Sequence, residues 1–228
     1  MVPKLDVPSL LGHLNLFAQL DEKNLARLAE RSQQIRVPRH AFVFHRGDPA
    51  SGLYVVAVGR VKLSIPAANG QEKVIEFFGS GQAFGEAMMF IEQPYMVQAQ
   101  ALEDCLLLWV SKQDVLAVID RQPAFARSLL TGMAARLHTL MQDIEMVSLH
   151  SASQRLIRYL LNLPCESGLL TLPVNKNVVA SKLGLTPETL SRLLHQFSDA
   201  GIISVRGRKV TLHNRDALQA REASPMTH

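Results

Sequence analysis

Glu188, Ser191, Arg192 and His195 recur at i, i+3, i+4 and i+7 in the stretch GLTPETLSRLLHQF, residues 184–197. That spacing places them on one face of a helix. An acceptor, a hydroxyl and a guanidinium within one turn suit the reading of base-pair edges in a DNA major groove. Arg192 can donate two hydrogen bonds to guanine O6 and N7, Glu188 can accept from cytosine N4 or adenine N6, and Ser191 can bond a base directly. Lys176, Thr186, Thr189 and His195 suit phosphate contacts, as do Arg206, Arg208 and Lys209 of the run RGRK. The plainer alternative is a solvated Glu–Arg pair at i, i+4, worth about 0.2–0.5 kcal/mol.

Chemistry of this kind needs a helix held firmly from behind. Leu190, Leu193, Leu194 and Phe197 form the apolar stripe that would do this. Thr186 can cap the helix, and Pro187 suits its first position because the N–H it lacks would be unpaired there anyway. A preceding helix is expected near NKNVVASKLGL, with the turn at Gly184. GIISVRGRKVTL follows as a β-hairpin with a basic tip. Two helices, a tight turn and a basic hairpin spell a winged helix-turn-helix, whose second helix enters the major groove. Residues 175–215 hold Lys176, Lys182, Arg192, Arg206, Arg208, Lys209 and Arg215 against Glu188 and Asp199, while the whole chain carries a net charge of +4. A basic segment on a near-neutral body is the footprint of a polyanionic partner, here duplex DNA.

Upstream, Leu130, Met133, Leu137, Leu140, Ile144 and Val147 step by 3, 4, 3, 4 and 3. This is the a/d seam of a heptad repeat and predicts a parallel homodimer; a single amphipathic helix packed on its own domain is the alternative. Residues 10–33 read as short helices, with Asp21 a cap. From Ile35 onward short strands alternate with turn signals, which predicts an all-β sandwich or barrel. ANGQ joins Val61–Ile65 to Lys73–Phe77 in a hairpin. A second strand pair is expected at Val97–Leu102 and Cys105–Val110, and Ser111 should cap a helix. The segment after Leu218 reads as a frayed tail.

With 228 residues and 47% hydrophobic content, the chain can bury a core. No apolar run approaches the roughly 20 residues that span a bilayer, and the N-terminus lacks a signal-peptide layout. A cytoplasmic protein with no membrane partner is expected. Cys105 and Cys165 lack ligand spacing and read as reduced thiols. GxSxG, HExxH, P-loop and GxGxxG helix-opening motifs are missing, so no enzymatic activity is expected.

The order of β-rich domain, long helix and winged helix, together with PETLSRLLHQFSDAGIISVRGRKVTL, resembles the CRP/FNR family of bacterial transcription regulators. The resemblance covers nearly the whole chain. It implies an α+β protein with a β-roll sensor (a double-stranded β-helix or jelly roll, of the cyclic-nucleotide-binding type) over residues 1–122. A dimerisation helix at 123–149, a winged helix-turn-helix at 150–218 and a flexible tail at 219–228 follow. The stretch PETLSRLLHQFSDAGIISVRGRKVTL looks especially like the FNR branch, whose E-x-x-S-R signature matches Glu188, Ser191 and Arg192, which implies a TTGAT…ATCAA-like palindrome read one half-site per protomer. RNA polymerase is the further partner the resemblance implies.

Gly85-Glu86 matches the family's phosphate cassette, but Met96 and Val97 stand where an Arg and a Ser/Thr would hold a cyclic nucleotide phosphate. An apolar pair cannot neutralise a buried anion, so cAMP is not expected. No cysteine occurs in the first 104 residues, so neither is an iron–sulfur cluster. GQEKVIEFF…AFGEAMMF instead resembles the dissimilatory nitrate respiration regulators, the Dnr subgroup. That resemblance implies haem b, nitric oxide sensing and control of denitrification genes. It also implies an apolar pocket, for which Met88, Met89, Phe90, Met96, Val97 and Leu137 are the candidate lining; core filling is the alternative for the methionines. His13 is the candidate axial ligand. His40 and His45, five apart on a predicted strand, would face opposite ways, and His138 falls beside the seam. A different apolar effector, or a haem or small-molecule binder whose basic domain is no DNA reader, are the alternatives. The effector is expected to shift the dimer helices and so re-aim the two recognition helices.

Overall fold

Between Gln33 and Ser111 the chain folds into two four-stranded antiparallel sheets, as seen in a computed structural model. The structure describes residues 7–12, 14, 16, 17, 19–67 and 72–223. Two compact units divide at His138/Thr139.

The first unit opens with helices α1 (Val7–Gly12) and α2 (Glu22–Arg31). Strands β1 (Gln33–Val37), β2 (Phe42–Phe44), β3 (Gly52–Val58), β4 (Val61–Pro66), β5 (Glu72–Phe78) and β6 (Ala83–Phe84) follow. After α3 (Glu86–Ile91) come β7 (Gln98–Ala101), β8 (Cys105–Ser111), α4 (Lys112–Arg121) and the long α5 (Pro123–Leu149), which belongs to the second unit from Thr139 onward. The sheet orders are β1-β8-β3-β6 and β2-β7-β4-β5. Both caps foreseen in this region form: Asp21 accepts from the Asn24 N–H at 2.7 Å and Ser111 from the Asp114 N–H at 3.1 Å.

The β4–β5 hairpin pairs Val61↔Phe78 through Pro66↔Glu72, with a register shift between Leu63 and Ser64, and residues 68–71 of its expected turn lie outside the described residues. The second expected pair does not form. β7 bonds to β2 and β4, whereas β8 bonds to β1 and β3 in the other sheet. Leu102–Asp104 is therefore a crossover between layers, because Ala99 and Ala101 must face one side of the core and Leu107 the other. One core cluster lies between the sheets, with Phe44, Phe78, Phe84, Ala99 and Leu107. A second sits beneath the helices, where Leu11, Phe17, Leu28, Met89, Val115 and Phe125 meet Leu53 and Leu108. His40 and His45 flank β2 rather than lying on it. His40 occupies a left-handed turn at φ 69°, and the His45 ring lies 4.5 Å from that of Phe42.

Lys62, Ser64 and Glu72 form a polar cluster on the β4–β5 hairpin. Lys62 Nζ pairs with Glu72, and the Ser64 hydroxyl donates to Glu72 at 2.8 Å. Burial alone would raise the Glu72 pKa, but the hydrogen bonds and the Lys62 charge outweigh it and hold the carboxyl below its ordinary range. A lowered folded-state pKa contributes stability above the unfolded-state value and loses it as pH falls through the folded one. Glu72→Gln should therefore destabilise the first unit by about 1–2 kcal/mol at pH 7 in urea unfolding. The gap to wild type should narrow as pH falls below the ordinary glutamate range, where the native carboxyl takes up its proton.

The second unit contains the end of α5 followed by α6 (Ala152–Leu161), β9 (Cys165–Glu166), β10 (Leu169–Thr171) and α7 (Lys176–Leu183). It closes with α8 (Pro187–Asp199), β11 (Ile203–Arg206), β12 (Lys209–Leu212) and α9 (Arg215–Ala223). The frayed tail expected over 219–228 is helical to Ala223 because Leu218 is fully buried and Arg158 Nε pairs with Glu222 at 2.9 Å. The remaining five residues lie outside the described set.

Candidate nucleic-acid interface

The turn between α7 and α8 follows from its residues. Asn175 caps α7 by accepting from the Val178 N–H at 3.0 Å. Gly184 ends it at φ 65°, a left-handed conformation that suits glycine, and the Leu185 N–H returns to the Ala180 carbonyl at 2.9 Å. Thr186 then caps α8, its Oγ1 accepting from the Thr189 N–H at 3.2 Å, with Pro187 in the first turn. Leu190, Leu193, Leu194 and Phe197 are all buried, at 8% exposure or less.

Glu188, Ser191, Arg192 and His195 occupy the opposite, exposed face. Glu188 and Arg192 form no ion pair among the described residues, and Arg192 has no hydrogen-bond partner among them. The surface-pair alternative therefore does not describe this helix, and the guanidinium is available to a ligand. The Glu188 carboxyl is held below the usual range by its own backbone N–H and the Thr186 hydroxyl. It is an acceptor at neutral pH, as pairing with a cytosine or adenine amino group requires. Thr186 and Thr189 are already engaged locally, their hydroxyls 3.1 Å apart.

Beside this face runs a groove of about 490 Å³. Lys176, Ser191 and His195 line it together with Ser198, Ser204 and His213. Sequence reasoning missed the last three. Nothing in their local pattern marks them; the fold of β11 and β12 against α8 brings them in. The hairpin pairs Ile203↔Leu212 through Arg206↔Lys209, with Gly207 at φ 60° in its tip. It is half of a four-stranded sheet, β11-β12-β10-β9, in which β10 buttresses the wing. Arg206, Arg208 and Lys209 are exposed at its tip. Charges there would add sequence-independent affinity, so Lys209→Ala should weaken every duplex alike. It should also reduce the slope of log affinity against log salt by about 1, read by fluorescence anisotropy over a salt series.

The residues expected to line one effector pocket do not share one. Met89 and Phe90 pack into the core beneath the helices, and Met88 and Val97 pack against the inter-sheet core. Met96 and Leu137 are 63% and 61% exposed. Adjacent positions such as Met88 and Met89 face different layers because α3 turns between them. A separate cleft of about 310 Å³ in the first unit is lined by Leu14, Leu16, Glu86, Leu129, Met133 and Arg136, among others. Arg136 crosses it: Nη1 meets Glu86 Oε1 at 2.6 Å, Nε meets Glu76 at 3.2 Å, and the guanidinium lies 4.6 Å from the centre of the Phe78 ring. The second oxygen of Glu86 is buried without a hydrogen-bond partner among the described residues. His13 lies outside the described residues. No group of three or more potential metal ligands occurs among the described residues, and none of their helices is long and apolar enough to cross a membrane.

Along α5, Leu130, Leu137 and Ile144 are 65%, 61% and 66% exposed and Val147 is 47% exposed, while Met133 and Leu140 are half-buried. Met141, absent from the sequence-derived seam, joins the stripe at 60% exposure.

These features define a DNA-binding protein that reads sequence through a winged helix and carries a separate β-roll domain. Comparison with known proteins places it more closely. Residues 34–122 match the cyclic nucleotide-binding domain family and residues 154–221 the Crp-like helix-turn-helix domain family. The cyclic AMP receptor protein of Thermus thermophilus is 33% identical over 167 residues, 73% of this chain and 77% of that protein. The crystal structure of DNR from Pseudomonas aeruginosa is 34% identical, with 96% of this chain and 99% of that one covered and a TM-score of 0.52. FixK2 of Bradyrhizobium japonicum, 24% identical, shares the fold at a TM-score of 0.74 over 86% of this chain and 99% of its own. The chain belongs to the CRP/FNR family of DNA-binding transcription regulators.

Proposed function

We propose that this regulator works as a homodimer that reads a TTGAT…ATCAA palindrome and answers to an effector in the β-roll domain. The observation that carries the DNA reading is the exposed Arg192, without a partner among the described residues, beside an ionised Glu188 on a helix whose other face is buried. The dimer is supported by the apolar stripe of Leu130, Leu137, Met141 and Ile144, each at least 60% exposed. Exposed apolar surface of this regularity marks an interaction site, and a heptad-spaced stripe is matched by its own copy. Two-fold symmetry would then present the paired α8 helices to half-sites about 34 Å apart. RNA polymerase is the partner through which such a regulator acts on transcription.

For the effector, the stretch GQEKVIEFF…AFGEAMMF, which resembles the Dnr subgroup, supports haem b and nitric oxide sensing in the control of denitrification genes, and the likeness to DNR is in keeping with that subgroup. The cleft at Arg136 is the place for it. An apolar wall with one guanidinium–carboxylate pair suits an apolar group bearing a few polar atoms. The described lining offers Met133 as a sulfur donor but no imidazole, so His13 would have to supply one. That lining favours, as a second reading, an apolar effector other than haem. Cyclic AMP fits poorly, since Met96 points to solvent where a phosphate would need a cation.

Anisotropy titrations with the palindrome and with half-site-scrambled duplexes test the DNA reading, and equal affinity for both overturns it. Haemin reconstitution tests the effector. A Soret band that shifts with nitric oxide and is lost in His13→Ala is expected from the haem reading, and a featureless spectrum leaves the second reading in its place.

A further inference from the structure

The face of α5 that bears Asp143 and Met146 is distinct from the face of the exposed stripe, and both residues are half-buried within the second unit. Asp143 Oδ2 lies 2.6 Å from Lys182 Nζ on α7, and the Lys182 side chain is only 16% exposed. One turn further along α5, Met146 Sδ accepts from Arg158 Nη1 at 3.8 Å, while Arg158 Nε is held by Glu222 of α9 at 2.9 Å. The end of α5 is thus bound to α6 and α7 by polar contacts. α7 is the first helix of the reading motif, and Lys182 stands two residues before Gly184, where the chain turns into α8.

We propose that the Asp143–Lys182 ion pair is a clasp that holds the reading helix at a fixed position on the dimerising helix, and so sets the separation of half-sites the dimer accepts. This rests on the dimeric reading above. The physical reason lies in the lever. α7 and α8 are joined by the tight turn at Gly184 and pack on each other as one motif, so a rotation of α7 on α5 carries α8 with it, and the two-fold axis repeats that movement in the partner. A point ammonium that is 16% exposed, held against a half-buried carboxylate, resists that rotation, where apolar contacts alone slide at little cost. Lys182 also lies in the basic segment, and direct phosphate contact is the competing role. Asp143 separates the two, because an anion there opposes a phosphate contact but is required by a clasp. Asp143 and Lys182 are therefore positioning residues.

The experiment uses the full chain and duplexes in which the spacer between TTGAT and ATCAA varies by single base pairs, with a single half-site as the reference. Wild type is expected to show one optimal spacer. Asp143→Asn and Lys182→Met should lower affinity at that spacer about tenfold and flatten the spacing profile. Affinity for the single half-site should stay unchanged, and the charge swap Asp143→Lys with Lys182→Asp should restore the optimum. Sedimentation and thermal unfolding confirm that each variant remains folded and dimeric. A wild-type spacing profile in both single variants overturns the clasp. So does tighter binding of Asp143→Asn at every spacer, or an equal loss by Lys182→Met on the single half-site, either of which makes Lys182 a phosphate contact. If wild type has no optimum, the palindromic dimer reading fails and the clasp fails with it; an optimum that the variants keep removes the clasp alone.

Discussion

Arg192→Ala is expected to erase selection at one base pair of each half-site and to cost about 1–3 kcal/mol per half-site, or roughly 5- to 150-fold in affinity for that half-site. The size follows from geometry. The guanidinium is exposed and has no partner among the described residues, so binding DNA breaks no ion pair of its own. A bidentate pair to guanine O6 and N7 is made or lost as a whole. Arg192→Lys should recover charge but little selectivity, because a point ammonium cannot form the planar fork. Titrating wild type and both variants against duplexes substituted at each half-site position measures this. A uniform loss across all sequences would move Arg192 from base reading to phosphate contact. Its difference from Lys209→Ala lies in that profile more than in the size of the loss.

The second large effect belongs to the stripe on α5. Leu137→Asp should convert the proposed dimer to a folded monomer, read by sedimentation equilibrium, and lower affinity for the proposed palindrome about 100-fold or more, toward that of a single half-site. Leu137 is 61% exposed in the protomer, so an aspartate there removes little packing from its own core. In the dimer it would place two carboxylates within an apolar seam that cannot solvate them. Phe125 gives the contrast. It lies on the same helix but is fully buried, its ring 5.5 Å from that of Phe17. Phe125→Ala should cost about 3–5 kcal/mol of protomer stability while leaving the stripe intact. A dimer that survives Leu137→Asp would show that the stripe covers something other than its own copy.

Much of the interface was legible because its signals are local. Thr186, Pro187 and Gly184 mark helix ends through their own backbone preferences, and the four apolar residues of α8 repeat at the period of a helix. The split of that helix into a reading face and a packing face needs no knowledge of the rest of the chain. The heptad on α5 is equally local, which is why it was visible without the structure. Met141 escaped because the a/d pattern selects Leu140, while the exposed stripe at that turn includes its neighbour.

What the order of residues could not disclose is which distant segments meet. Val97–Leu102 and Cys105–Val110 have the look of a hairpin and lie in different sheets, because each strand takes whichever partners bury its apolar face. Consecutive Met88 and Met89 have the same chemistry and enter different cores, and Met96 enters none. Arg136 meets Glu86 from fifty residues away, and Asp143 meets Lys182 across thirty-nine. Helix ends, faces and periods come from each residue and its near neighbours. Strand partners, the lining of a cleft and a clasp between helices come from the balance of burial over the whole chain, which no short stretch contains.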